Sequence, residues 1–261
     1  MKLYYDLYRC ESCSDLLDPH GVAPFTKPGN AQTIPVSHFG NTDESLIWVV
    51  FNNPKGDRND PNVGATPRQF GATRRATLSE DAVHMIKNHF DQYFETASNC
   101  HEFFQKWRSL LNGLRINDKT VTFENGGICA VDLIKCPTAS AWMGFVMTSE
   151  GQKVWDNCLR EPDGNKFLLR QIEYHKPLMI IFAGTQSSVK KAWKGAKNRE
   201  LSFLVSNTGS KVVKEVYTIE QPKRLSLGLY SQRQIELLRE DDIQREKRTI
   251  QLTIDRWNET R

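Results

Sequence analysis

Leu46-Ile47-Trp48-Val49-Val50-Phe51 runs directly into Asn52-Asn53-Pro54-Lys55-Gly56, so a continuous apolar stretch with β-branched members stops at a polar turn. A short run of this kind between turn signals reads as a strand buried on both faces. Two further segments share the pattern. Ile128-Cys-Ala-Val-Asp-Leu-Ile134 follows Asn-Gly-Gly, and Leu178-Met-Ile-Ile-Phe-Ala183 lies between Pro177 and Gly184. Helical periodicity occupies the gaps, at about residues 78–95, 100–113 and 153–175 and more briefly at about 186–194. Strands alternating with helices predict a parallel sheet covered on both faces, with the ligand site beyond the carboxyl ends of the strands.

A fourth strand is predicted over Val212–Ile219, running into Glu220-Gln-Pro-Lys-Arg-Leu-Ser-Leu-Gly228, which reads as a loop. The fold class expected is therefore α/β, a three-layer αβα arrangement around a mainly parallel four-stranded sheet. Residues 96–126 read as a helical insertion before the second strand, and residues 14–44, rich in Pro, Gly, Asn and Ser, as irregular. In the charged tail, Ile235, Leu238, Ile243, Ile250, Ile254 and Trp257 recur at helical spacing. The tail, 231–261, is thus expected to be a helical extension packed on a domain of residues 1–230.

With 261 residues and 39% hydrophobic content, the chain can bury one sizeable core. Its 35 basic and 31 acidic residues leave a net charge of +4, so a polyanion site has to come from local clustering. The start, Met-Lys-Leu-Tyr-Tyr-Asp-Leu-Tyr, lacks the apolar run of a signal peptide, and no stretch is long enough to cross a bilayer. A cytoplasmic monomer without a membrane partner is the expectation.

In a reducing compartment, clustered cysteines more often bind metal or do redox chemistry than form disulfides. Four of the six cysteines stand out: Cys10 and Cys13 in Cys-Glu-Ser-Cys, Cys136 in Asp132-Leu-Ile-Lys-Cys-Pro137, and Cys158 in Trp-Asp-Asn-Cys-Leu159. Thiolates in this order suit an iron–sulfur cluster, with zinc on the same four, or four unrelated buried thiols, as the alternatives. Cys100 and Cys129 have no place in the pattern and read as core residues.

By the order of these motifs, over about residues 5–230, the chain resembles the uracil-DNA glycosylase superfamily, closest to its iron–sulfur-containing family 4. The segments carrying the resemblance are Cys10/Cys13, Phe51-Asn-Asn-Pro54, Asp132 through Cys136-Pro137, Cys158 ahead of Phe167-Leu-Leu-Arg-Gln-Ile172, Pro177 through Gly184, and Gln221-Pro222. The resemblance implies a [4Fe–4S] cluster on Cys10, Cys13, Cys136 and Cys158. It implies a water-positioning residue in the first strand's loop, Asn53 in one register and Asn52 in the other, with Asp57 as a candidate carboxylate. It also implies stacking of an extruded base on Phe70.

Two positions depart from the family: Asp132 stands where its base-reading Asn would be, and Gln221 where its loop His would be. An amide matches the N3/O4 edge of uracil, whereas a protonated carboxyl matches the N3/N4 edge of cytosine. A carboxyl buried there would be driven towards its neutral form. Gln221 can donate a neutral hydrogen bond to the departing base but lacks an imidazole's charge. The expected activity is therefore a monofunctional DNA glycosylase for a 5-modified cytosine, such as a hydroxymethylated or glucosylated base of phage DNA. The alternatives are a uracil glycosylase and a catalytically silent DNA-binding module. Lys190 and Lys191, and Lys223 and Arg224 beside Leu225 in the loop, are the expected contacts to DNA.

Overall fold

The computed structural model describes residues 1–13, 33–52, 65–96, 103–137, 149–159, 166–183, 201–205, 213–219, 224–229, 235 and 238–259. In chain order the elements are α1 (Lys2–Tyr8), β1 (Ile47–Phe51), single 3-10 turns at Pro67–Phe70 and Arg75–Thr77, α2 (Glu80–Asp91), α3 (Tyr93–Thr96), α4 (Phe103–Leu111), β2 (Leu114–Ile116), β3 (Lys119–Val121), β4 (Ile128–Asp132), α5 (Ser149–Leu159), α6 (Phe167–His175), β5 (Met179–Ala183), β6 (Leu201–Val205), β7 (Val213–Ile219), β8 (Arg224–Leu229) and α7 (Glu240–Glu259). They form two compact units that interleave along the chain. The first comprises Met1–His38, Asn52–Asp91 and Val131–Tyr174; the second comprises Phe39–Phe51, Gln92–Ala130 and His175–Arg261.

The second unit carries the sheet, apart from the end of β4. Every residue of β1 and of β5 is buried, as their unbroken apolar composition requires of strands covered on both faces. They pair in parallel from Ile47↔Met179 to Val50↔Phe182, and β5 pairs in parallel with β8 from Met179↔Leu225 to Ala183↔Leu229. On the other side of β1 lies β4. The N–H groups of Leu46 and Ile47 donate to the Gly127 carbonyl and that of Ile134 to the Asn52 carbonyl, so the two segments advance in the same direction.

The sheet differs from the four-stranded expectation: among the described residues it has six strands, in the order β4-β1-β5-β8-β7-β6. The segment predicted as the DNA-contacting loop with Arg224 and Leu225 is in fact β8, between β5 and β7. Its alternating Leu225, Leu227 and Leu229 carry a strand's period of two, which the preceding Pro222-Lys223 obscures. The predicted fourth strand, β7, is present but runs antiparallel to β8, and β6 runs antiparallel to β7.

Two helical predictions also need correction. The 96–126 insertion is not all helix, since α4 is followed by the antiparallel β2–β3 hairpin. Asn117 and Asp118 form its two-residue turn at φ 48° and 61°, the left-handed pair that a primed hairpin turn requires and that Asn and Asp tolerate. The 153–175 stretch is two helices, α5 and α6. The N-terminal α1 has no counterpart in the sequence reading.

Aromatic packing fills the second unit's core. Phe51 meets Trp107 at 5.1 Å, and Phe39 meets Tyr93 and Phe94 meets Phe123 at 4.7 Å each. The tail forms α7, with Ile243, Ile250, Ile254 and Trp257 buried at the helical spacing predicted. The Gln251 side chain pairs with both main-chain groups of Arg115 in the hairpin, accepting at 2.7 Å and donating at 3.0 Å. In the first unit, α1 buries Leu3, Tyr4, Leu7 and Tyr8 and packs against α2. Among the described residues no helix is long and apolar enough to cross a membrane.

Candidate functional site

Asn52 and Asp132, both in the first unit, terminate neighbouring strands. The hydrogen bond from the Ile134 N–H to the Asn52 carbonyl, 3.0 Å, pins the two chain ends side by side. The Oδ1 of Asn52 is buried and accepts no hydrogen bond among the described residues. Such an oxygen carries a desolvation cost unless something donates to it. Asp132 is 3% exposed. Burial pushes its carboxyl up to about 7 against the opposing charge of Lys135. That is the direction expected of a carboxyl that must carry a proton near neutral pH. The pair therefore offers one open acceptor and one titratable donor at adjacent strand ends.

Beneath them lies a polar network that the sequence reading does not contain. Lys135, 1% exposed, donates through Nζ to the carbonyls of Asp132 at 2.6 Å and Ser37 at 3.3 Å. Gln171 Nε2 donates to the same Ser37 carbonyl at 3.2 Å, and the Ser37 hydroxyl lies 2.5 Å from that of Tyr8. The next residue, His38, pairs its Nε2 with Asp91 Oδ1 at 2.9 Å, while Lys87 donates to Asp91 Oδ2 at 2.6 Å. Burial holds the His38 imidazole below its usual range against the bond and charge of Asp91, and the charges of Lys87 and Lys135 add to the lowering. Burial pulls Asp91 upward, but its bonds and charges with His38 and Lys87 outweigh this and hold it at about 2. The Lys87/Asp91 pair at i,i+4 was legible in sequence. Its connection to His38 was not.

The four singled-out cysteines all belong to the first unit. Cys10 and Cys13 follow α1, Cys136 lies just beyond β4, and Cys158 occupies the last turn of α5. The Cys158 thiol hydrogen-bonds to Cys13, whose own thiol is lowered to about 7 mainly by that bond, against burial and with help from Asn157 and Arg75. The Nδ2 of Asn157 donates to Cys13 Sγ at 3.4 Å and to the Ser12 carbonyl at 2.8 Å. Burial drives Cys136 up to about 12, and the charges of Cys13 and Cys10 push in the same direction. The sulfurs are thus near enough to bias one another's protons. Among the described residues, no three His, Cys, Asp or Glu side chains are drawn together as ligands around an ion. Cys129 is buried in the sheet, its thiol towards the Gly40 carbonyl at 3.6 Å, in keeping with a core role.

Phe70 ends the first 3-10 turn, partly exposed, in the same unit as Asn52 and Asp132. Asn53, Asp57, Lys190, Lys191, Gln221, Lys223 and Cys100 lie outside the described residues. Sequence reasoning missed Arg75, a buried cation beside Cys136. Its local signal is the Arg74-Arg75 pair at the start of the second 3-10 turn.

Comparison with models of known protein families gave no match, and comparison with curated protein sequences gave none either.

Proposed function

We propose that this protein is a monofunctional DNA glycosylase with the three-layer fold of the uracil-DNA glycosylase superfamily, acting on a 5-modified cytosine. The observation that carries this reading is the placement, at adjacent strand ends, of Asn52, whose buried Oδ1 accepts no hydrogen bond among the described residues, and of the buried Asp132 carboxyl, raised to about 7. In the proposed reaction an extruded base stacks on Phe70, and protonated Asp132 donates to cytosine N3. Asn52, or Asn53 in the alternative register, orients water towards C1′. The C1′–N1 bond breaks with its electron pair leaving on the base, and the proton given to N3 offsets that charge. The water oxygen bonds to C1′, and its proton passes to solvent. Gln221 donates a hydrogen bond to the departing base, and Lys190, Lys191, Lys223 and Arg224 contribute charge for the phosphates.

Cys10, Cys13, Cys136 and Cys158 are the proposed ligands of a [4Fe–4S] cluster, or of zinc. The hydrogen-bonded thiols of Cys13 and Cys158, with Cys136 buried and Cys10 half-buried, are soft donors of the kind either group takes. Bound there, it would act as a structural clasp between the N-terminal segment and the strand-end loop. A cytoplasmic monomer acting on phage DNA completes the reading.

The test incubates metal-loaded protein with oligonucleotides carrying uracil, cytosine, hydroxymethylcytosine or glucosylated hydroxymethylcytosine, followed by alkaline cleavage at abasic sites. Excision confined to modified cytosine is the expected result. Excision of uracil alone returns the substrate to the family's usual base. Binding of DNA without excision of any base identifies a silent module.

A further inference from the structure

Arg75 is 2% exposed, and no carboxylate among the described residues pairs with it. Its Nε donates to the Thr33 carbonyl at 2.5 Å, and Nη1 reaches the Cys10 carbonyl at 3.2 Å and Cys136 Sγ at 3.9 Å. Carbonyl oxygens satisfy its donors but carry no net charge. A guanidinium does not deprotonate in a protein, and a buried cation without a counter-charge costs several kcal/mol, of the order that removes one partner from a buried ion pair. The sulfurs beside it are Cys136 and, more remotely, Cys13.

Nor is this guanidinium free to move away. Its 3-10 turn is fastened to the cysteine loop on both sides: Arg74 pairs with Glu11 at 2.8 Å, the Ala76 N–H donates to Glu11 Oε1 at 3.4 Å, and Arg9 donates to the Ala76 carbonyl. Four thiolates around either a [4Fe–4S] core or a zinc ion leave a net negative site, which is the partner this cation lacks.

We infer that Arg75 is the built-in counter-charge of an anionic metal–thiolate site, and that it governs both metal retention and, for an iron–sulfur cluster, the reduction potential. The inference rests on the proposed cysteine site. A cation donating towards a ligating sulfur stabilises the more negative, reduced state, since charge and hydrogen bonds at the sulfurs are what tune such clusters. Arg75 is therefore a positioning and electrostatic residue with no part in base excision.

The experiment compares the parent protein with Arg75→Gln and Arg75→Lys, all prepared anaerobically and checked for folding by circular dichroism. Metal content, release to a chelator and, for iron, the midpoint potential are measured. Arg75→Gln should retain metal about 10- to 100-fold more weakly, and its cluster potential should move in the negative direction. Arg75→Lys, which keeps the charge, should stay close to the parent in both. A parent protein without iron or zinc overturns the cysteine site itself. A metal-bearing parent whose Arg75→Gln variant is unchanged overturns the role of Arg75 alone. If Arg75→Gln does not fold, Arg75→Lys decides, because a folded Lys variant that loses its metal shows that charge is not what the site needs.

Discussion

Lys135 places its ammonium on the main-chain oxygen of Asp132 at 2.6 Å, and on the Ser37 carbonyl, while the Asp132 carboxyl rises to about 7. The lysine opposes burial without overcoming it. Because the folded state holds the Asp132 proton more tightly than the unfolded chain does, its contribution to stability is full below about pH 4 and is lost as pH rises towards 7. Asp132→Asn should accordingly match the parent near pH 4 and be more stable at pH 8. The gain has an upper bound of a few kcal/mol, at roughly 1.4 kcal/mol for each tenfold difference in proton affinity. Urea melts at the two pH values measure this. An offset independent of pH would mean that Asp132 does not titrate with folding.

The same substitution tests base choice. Replacing the carboxyl by an amide reverses the donor and acceptor pattern, at roughly 1–3 kcal/mol of discrimination per mismatched contact. Excision of modified cytosine should collapse in Asp132→Asn, and uracil should gain. Single-turnover rates on both bases read the outcome, and an unchanged preference would take Asp132 out of base recognition.

Asn52→Ala removes the open Oδ1 and should lower kcat about 100-fold or more while DNA affinity stays within a fewfold, since orienting water matters in the transition state. Asn53→Ala and Asp57→Ala, assayed alongside, decide the register of this loop. Equal losses of binding and turnover in Asn52→Ala would mark the residue as structural.

Asp91 anchors a buried charge network, and Asp91→Asn removes the carboxylate charge to which Lys87 donates. A loss of about 3 kcal/mol is expected. The folded carboxyl lies at about 2, below its ordinary value, so its stabilisation is present above roughly pH 4 and disappears as pH falls towards 2. His38, lowered by burial, adds a loss as pH falls below its ordinary value of about 6.5. Acid unfolding of Asp91→Asn should therefore keep the His38 component and lack the steeper one below pH 4. A variant as acid-sensitive as the parent in that lower range contradicts the assignment.

Cysteine replacements separate ligand from core. Cys136→Ser should lose metal and melt at lower temperature, because a clasp joining distant segments contributes to folding itself. Cys129→Ser, buried in the sheet, should retain metal whatever it costs in packing. Metal analysis and thermal melts on both variants test the distinction, and full metal content in Cys136→Ser would remove it from the ligand set.

What could be read from the chain alone was set by local pattern. The unbroken apolar runs of β1, β4 and β5 and the helical spacing in α2, α4 and α7 follow from neighbours within a few residues, and burial bears them out. The upward push on Asp132 was likewise anticipated, because a carboxylate inside such a run pays for desolvation wherever the strand is buried. Tertiary structure alone decided who meets whom. β8 became a strand because β5 and β7 each present an edge to it. His38 found Asp91 across 53 residues and Arg75 found Cys136 across 61. A buried charge does not specify its partner in sequence, since the partner is whichever donor or acceptor the fold brings within a few ångströms, and that depends on how distant segments close on one another.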